Sequence, residues 1–553
     1  MRFRLIAVFA TAALAACGRG SAPSLAPTPA PVAAPTTAAA TTLSEAPRDW
    51  QLLDEETDHV PGISAERARR ELLAGKAPKA PVVVAVLDGG VDTSHVALRS
   101  NLWINPKEVP NNGTDDDANG YVDDIHGWNF IGGRGGDVHW DTYEVTRLAA
   151  RCSHHSAAAV DTLPAALAAQ CTAFKDTIAA RRTDAAKNLQ QIEGVSAALS
   201  RASATLQAAV GSDALTPDRV RALQPADSAT AQARALYLRL AELGATSDRI
   251  DEYLKVLRSR LDYALNLSFD PRPIVGDHYA DVHESKYGNN DVTGPDAKHG
   301  THVSGIIGAV RRHTAGADSA GIEGIAPSVR IMAIRAVPDG DERDKDIANG
   351  IRYAVDNGAR VINMSFGKGY SPEKGAVDDA VRYADAHGVL MIHAAGNDGR
   401  DLASANNFPS PVYLDGGRAQ NWIEVGASSW KGGDSLAASF SNYGQHQVDV
   451  FAPGVDILST VPGNTYERDS GTSMAAPVVS GLAALILDYY PNLSAADVKR
   501  IILQSATRYT NQTVLRPGSK DAQVAFGTLS ATGGIVNADA ALRLAATISA
   551  AKH

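Results

Sequence analysis

An α/β fold is predicted for this chain of 553 residues: a parallel sheet with helices on both faces, carrying an α-helical insertion. Three observations predict it. Short apolar runs at Pro81–Asp88, Val329–Val337, Arg360–Phe366 and Gly388–His393 alternate with helical patterns over Asp344–Asn357 and Pro372–His387, the rhythm of a sheet buried on both faces. Two of these runs end in polar and glycine residues, Asp88-Gly89-Gly90 and Ala394-Ala395-Gly396-Asn397, at the strand edge where open α/β sheets place their chemistry. Between about Asp141 and Leu267 this rhythm gives way to long helical stripes.

Taken in order, the chain opens Met1-Arg2-Phe3-Arg4 followed by an apolar stretch to Ala16. A basic start and a short apolar run ending in small residues read as a signal peptide over 1–16, too short for a stable membrane span. Its end, Leu14-Ala15-Ala16-Cys17, resembles a bacterial lipoprotein box. That resemblance implies lipidation of Cys17 and attachment to a membrane; without an aspartate at position 18, an outer-membrane or cell-surface destination is expected. The plain alternative is an ordinary signal cleaved nearby. Residues 17–47 are dominated by Ala, Pro, Thr and Ser and read as an extended tether. No further apolar stretch is expected to span a bilayer. Residues 48–80 form a short arm with a helix expected over Ser64–Leu73, capped by Ser64. The arm is too short to build a folded domain with its own core.

The first strand ends at Asp88. After it comes Asp115-Asp116-Asp117-Ala118-Asn119-Gly120-Tyr121-Val122-Asp123-Asp124. Oxygens at alternate positions and a glycine for the sharp turn suit calcium, with Asp115, Asp117, Asn119, Tyr121 and Asp123 as ligands. The pattern follows an EF-hand loop to its ninth position and departs at the twelfth, where His126 stands. A solvated acidic turn is the bland alternative.

In the insertion, 141–267, Thr216-Pro217-Asp218 reads as a helix start. Ile250, Leu254, Leu257, Leu261 and Ala264 form one stripe, and Leu189, Ile192, Leu199, Leu206 and Val210 another. Two or three long antiparallel helices are expected. They carry no cluster of acids, bases or metal ligands, so they are expected to seal their own seam, with an arm docking a protein partner or a lid over the active-site cleft as the functional alternatives. Of three cysteines, Cys152 and Cys171 remain as a pair once Cys17 is assigned to lipid, and a disulfide between them suits an oxidising compartment.

Beyond the insertion, His299-Gly300-Thr301-His302-Val303-Ser304-Gly305 opens a small-residue helix, and Ser470-Gly471-Thr472-Ser473-Met474-Ala475-Ala476-Pro477 opens an apolar one reaching Tyr490. A serine at a helix start lies in a favourable field for developing negative charge. Nucleophilic catalysis needs an acid to orient an imidazole, the imidazole as base, and the hydroxyl; Asp88, His299 and Ser473 can supply them. Asn397, at a strand end, can donate to an oxyanion. Each has a bland reading: Asp88 as a turn former, Asn397 as a turn residue, His302 as a packed neighbour one turn from His299. Their joint order argues against coincidence.

With these motifs in this order, the chain resembles the subtilisin-like serine proteases from about Val82 to Ala545. The resemblance implies a peptidase domain over 81–545, with Asp88 as orienting acid, His299 as general base, Ser473 as nucleophile and Asn397 as oxyanion donor. It also implies a substrate-binding strand at Ser365-Phe366-Gly367-Lys368-Gly369 and a specificity-pocket segment at Asn407-Phe408-Pro409. Two features depart from the family: Gly89 follows the acid where Ser or Thr is usual, and the spacing from Asp88 to His299 is far longer. The expected function is a secreted, lipid-anchored serine endopeptidase acting on proteins or peptides, with calcium as a bound ion. The alternatives are an inactive protease scaffold serving as a surface binding or assembly protein, and an esterase, which the lack of a Gly-x-Ser-x-Gly elbow disfavours. A net charge of −10 argues against nucleic acid as a partner, and no C-terminal binding domain is expected.

Overall fold

The computed structural model describes residues 43–153, 165–211, 214–311 and 321–552. The expected signal peptide, Cys17 and most of the expected tether lie outside the described residues.

Nine strands form the main sheet: β1 (Val83–Asp88), β2 (Gly127–Asn129), β3 (Arg330–Arg335), β4 (Val361–Met364), β5 (Leu390–Ala394), β6 (Trp422–Ser428), β7 (Val450–Pro453), β8 (Thr507–Arg508) and β9 (Gly534–Ile535). Their spatial order is β8-β9-β7-β6-β5-β4-β1-β3-β2. All neighbours pair in parallel except β8 with β9. β1 runs between β4 and β3, with Leu87 opposite Met364 on one side and Asp88 opposite Arg335 on the other.

Alternation along β1 divides the core. Val84 and Val86 face one apolar layer, while Ala85 and Leu87 face the other. The layers are covered by helices α1 (Glu144–Arg151), α2 (Cys171–Val210), α3 (Ser228–Glu242), α4 (Ser247–Ser259), α5 (Lys298–Gly308), α6 (Asp344–Asp356), α7 (Lys374–Ala386), α8 (Thr472–Tyr489), α9 (Ala495–Gln504) and α10 (Ala538–Ala550). α5, α8, α9 and α10 pack on the first layer, α6 and α7 on the second, and α1 to α4 belong to the insertion. α8 is long and apolar enough to cross a membrane by composition, but 89% of it is buried inside the fold. Its apolarity thus serves the core.

The insertion is built on one 40-residue helix, α2, along which α3 and α4 lie end to end. Two or three long helices were expected; Gly244 and Thr246 break the return path, Thr246 accepting from the Arg249 N–H to start α4. Ile192 and Leu199 pack with Leu240, Ile250, Leu254 and Leu257, and farther along α2 Leu206 meets Val220 and Ala233. Thr216 caps its helix through the Arg219 N–H. The ends of the insertion meet, since Tyr143 N–H and Thr146 Oγ1 both donate to the Ala264 carbonyl at 2.9 and 2.7 Å. A disulfide joins Cys152 to Cys171, between the ends of α1 and α2.

The arm is part of the core. Trp50, Leu52, Val60 and Ile63 are buried in the first layer, and the Trp50 indole donates to the Val455 carbonyl at 2.9 Å. The expected Ser64 cap is not formed: Ser64 adopts φ 59° and its side chain accepts no helix N–H. Its own N–H donates to Leu53, so a turn onto the arm replaces the cap. A four-residue helix, Ala65–Ala68, follows and widens over Arg69–Leu73.

Candidate active site

β1 delivers Asp88 to its carboxyl end, buried, with the Gly89 N–H donating to Oδ1 at 2.7 Å. Arg335, opposite it in β3, donates to the Gly89 carbonyl at 2.8 Å. The first turn of α5 brings His299 alongside, its Nδ1 at 2.9 and 3.0 Å from the two Asp88 oxygens. The approach requires Gly300, because a Cβ there would lie 2.2 Å from the Gly90 carbonyl oxygen. Partial burial disfavours the imidazolium, but Asp88, with Asp469 and Asp296 behind it, outweighs this and pushes His299 up to about 9. The His299 side chain is 43% exposed, so its far edge is open to a substrate.

His302 differs in kind. It is buried, with Nε2 3.1 Å from the carbonyls of Ile457 and Glu467, and desolvation lowers it to about 4. It fastens α5 to the hairpin Ile457–Val461/Thr465–Asp469.

Ser473 stands in the first turn of α8. Its hydroxyl donates to the Ser365 carbonyl at 3.0 Å, and the Ser365 hydroxyl returns a bond to the Ser473 carbonyl at 2.9 Å. The end of β4 and the start of α8 are therefore clasped together. No hydrogen bond joins Ser473 to His299 among the described residues; bonds of this kind often tighten only when a ligand is bound.

Asn397 follows β5. Its Oδ1 accepts from Thr472 N–H at 2.9 Å and Thr472 Oγ1 at 3.0 Å. Both donors occupy the oxygen, so the Nδ2 group is the one left to donate outward. A Cβ at Gly471 would sit 3.5 Å from that nitrogen and from the Ser473 N, ordinary contact distances. Asn442 braces the same loop, donating to the Ala395 carbonyl and accepting from Asp398 and Arg400 N–H. Asn407 donates to the Ala394 carbonyl at 2.9 Å and packs against Gly367. Phe366 is half-buried and Gly367 exposed.

The five residues expected to bind calcium do not converge as an EF-hand order requires. Oxygens of Asp115 and Asp117 lie within 4.8 Å of one another and of a Glu108 oxygen. Asn119 Oδ1 instead accepts from Tyr121 N–H, and the Asp123 carboxylate accepts from the Asn112 and Gly113 amides. Glu108 Oε1 accepts from Asp116 N–H at 2.9 Å, while its Oε2 is buried with no partner among the described residues. An unpartnered buried carboxylate oxygen beside two further carboxylates fits a hard cation such as calcium.

Thr472, Asn442 and Glu108 escaped sequence reasoning. Thr472 stands in the serine motif itself and was open to notice; Asn442 and Glu108 carry no motif.

The profile described as "Subtilase family" matches residues 79–518. The chain belongs to the subtilase family. Among curated proteins, this subtilase is 43% identical over 211 residues to the "Thermophilic serine proteinase" of Bacillus sp. (strain AK1), a match covering 38% of this chain and 47% of that protein. It is 41% identical over 212 residues to "Subtilisin DY" of Bacillus licheniformis, covering 38% of this chain and 70% of the relative. Among solved structures, a protease from Pseudoalteromonas arctica PAMC 21717 aligns over 91% of this chain and 100% of its own, at 19% identity and a TM-score of 0.45.

Proposed function

We propose that this subtilase is a secreted, lipid-anchored serine endopeptidase working through Asp88, His299 and Ser473. The observation that carries the reading is the Asp88–His299 pair, 2.9 Å apart, at the end of β1, beside the strand end at Ser365 to which the helix-start Ser473 is bonded. In its neutral form His299 takes the Ser473 proton as Oγ attacks the peptide carbonyl. Asp88 fixes the ring so that Nδ1 carries hydrogen and Nε2 is basic. The oxyanion is received by Asn397 Nδ2 and the Ser473 amide, at the positive end of α8. The imidazolium then protonates the leaving amine, and water releases the acyl group by the reverse path.

Two further elements belong to the proposal. A calcium ion held by Glu108, Asp115 and Asp117 would fix the loop after β1. Lipid on Cys17, which lies outside the described residues, would hold the enzyme at a membrane through the Ala/Pro/Thr-rich tether.

Labelling with a fluorophosphonate serine probe, followed by peptide mapping, tests the reading. The label is expected on Ser473 and lost in His299→Ala. An unlabelled, folded protein that hydrolyses no peptide would leave the inactive binding scaffold as the better account.

A further inference from the structure

β3 and β4 flank β1, so the segments leaving them, 336–344 and 365–369, rise on either side of Asp88 and form two walls of one cleft. Three residues beyond Ser365 the walls are joined. Lys368 Nζ donates to Glu144 Oε2 at 2.8 Å and to the Glu342 carbonyl at 2.9 Å, and lies 2.8 Å from Asp344 Oδ1. Lys368, Glu144 and Asp344 are all buried. Glu144 and Arg147 come from α1, the first helix of the insertion, and Arg147 bonds the carbonyls of Asp341 and Glu342. Arg147 and Lys368 hold the Glu144 carboxyl well below its usual range despite burial.

The backbone edge ends at the same place. Among the described residues Gly367 N–H and carbonyl make no hydrogen bond, and Gly367 is exposed. Lys368 spends both of its groups on Phe408, at 3.0 and 2.8 Å. The direction of a bound substrate follows from the chemistry. The leaving amine departs toward His299, which protonates it, so the acyl portion on Ser473 runs the other way, along Gly367 toward Lys368.

We propose that Lys368, clamped by Glu144 and Asp344, closes this cleft, so that the enzyme reads no more than about three substrate residues on the amino side of the scissile bond, at about 3.3 Å per extended residue. The insertion thereby sets specificity: its first helix supplies the far wall. The preferred substrates are chains that turn away, or begin, within three residues of the cut. This inference rests on the peptidase reading above.

The test is a series of N-blocked chromogenic peptides of one to six residues before the scissile bond, assayed on the full chain. For the wild type, kcat/KM is expected to climb to three residues and then change by less than about two-fold. Lys368→Ala is expected to restore a rise of at least about five-fold between three and five residues, and Lys368→Arg to keep the plateau. Should the variants fail to fold, wild-type inhibition by peptide boronates of three and five residues decides, equal inhibition constants being expected. A wild-type gain of about ten-fold beyond the third residue overturns the inference while leaving the peptidase reading intact. Absence of both Ser473 labelling and hydrolysis at every length overturns the two together.

Discussion

His299 must be neutral to act as base, yet Asp88, Asp469 and Asp296 raise it to about 9. Below that value the neutral fraction falls about ten-fold per pH unit, so kcat/KM is expected to rise with pH and level off above about 9. Asp469→Asn removes one of the charges that favour the imidazolium, so its profile should move to lower pH. A wild-type profile already flat from neutral pH would show that the acids do not control the ring. The same shift has a stability consequence. A histidine raised from 6.5 to about 9 on folding adds stability fully present below about pH 6.5 and lost as pH climbs through about 9. At the oxyanion site, Asn397→Ala is expected to lower kcat by about 100- to 1000-fold with little change in KM, the usual loss for one such donor. Near-normal turnover would move the oxyanion elsewhere. Asp88, His299, Asn397 and Ser473 were legible in sequence because each lies in a short motif of glycine and small residues that local chemistry explains. Lys368 was legible only as part of the substrate-binding strand, not as a clamp, and Glu108 had no legible role. Glu144, the partner that Lys368 takes from the insertion, lies 224 residues away, and for Glu108 the signal is an oxygen left over after folding.

At the scale of elements, the strands and helices that alternate apolar runs with amphipathic stripes were legible; the joints between them were not. Ser64 has the composition of a cap, but its backbone is needed for a bond to Leu53. The acidic loop has the spacing of an EF-hand, but without flanking helices to aim them its side chains turn to nearby amides. The loop is expected to depend on metal even so: chelation should lower the melting temperature, because the Glu108, Asp115 and Asp117 carboxylates would then face one another unneutralised. An unchanged melt, with no metal in elemental analysis, removes the ion. The arm invites a similar test. Trp50 is fully buried and bonded to Val455, one residue before Asp456, whose N–H donates to Ser470 Oγ at 2.8 Å. Trp50→Ala is expected to cost about 3–5 kcal/mol in denaturant unfolding. A loss below about 1 kcal/mol would mean that the arm is not part of the cooperative unit.

At the scale of the whole molecule, three parts divide the work on the proposed reading: a sheet that assembles the cleft, a helical insertion that would wall one end of it, and an N-terminal segment that would set where the cleft operates. The insertion's seam was legible from its stripes, whereas its contact with the substrate walls was not, since Glu144 and Arg147 are ordinary helix residues until α1 docks on 341–344. Cys17 ends an apolar run after two arginines and precedes a stretch too poor in apolar side chains to build a core. Wild-type protein is therefore expected to sediment with membranes and to stay there in high salt. Acyl chains hold by burial of methylenes, each worth about 0.8 kcal/mol, and that attraction is not screened. Cys17→Ser should release or mislocalise the enzyme while a fluorophosphonate probe still labels Ser473, separating attachment from catalysis. Native protein found soluble, with a free N-terminus beyond residue 17, would place cleavage at an ordinary signal site and leave the Ala/Pro/Thr-rich stretch as a plain leader to the arm.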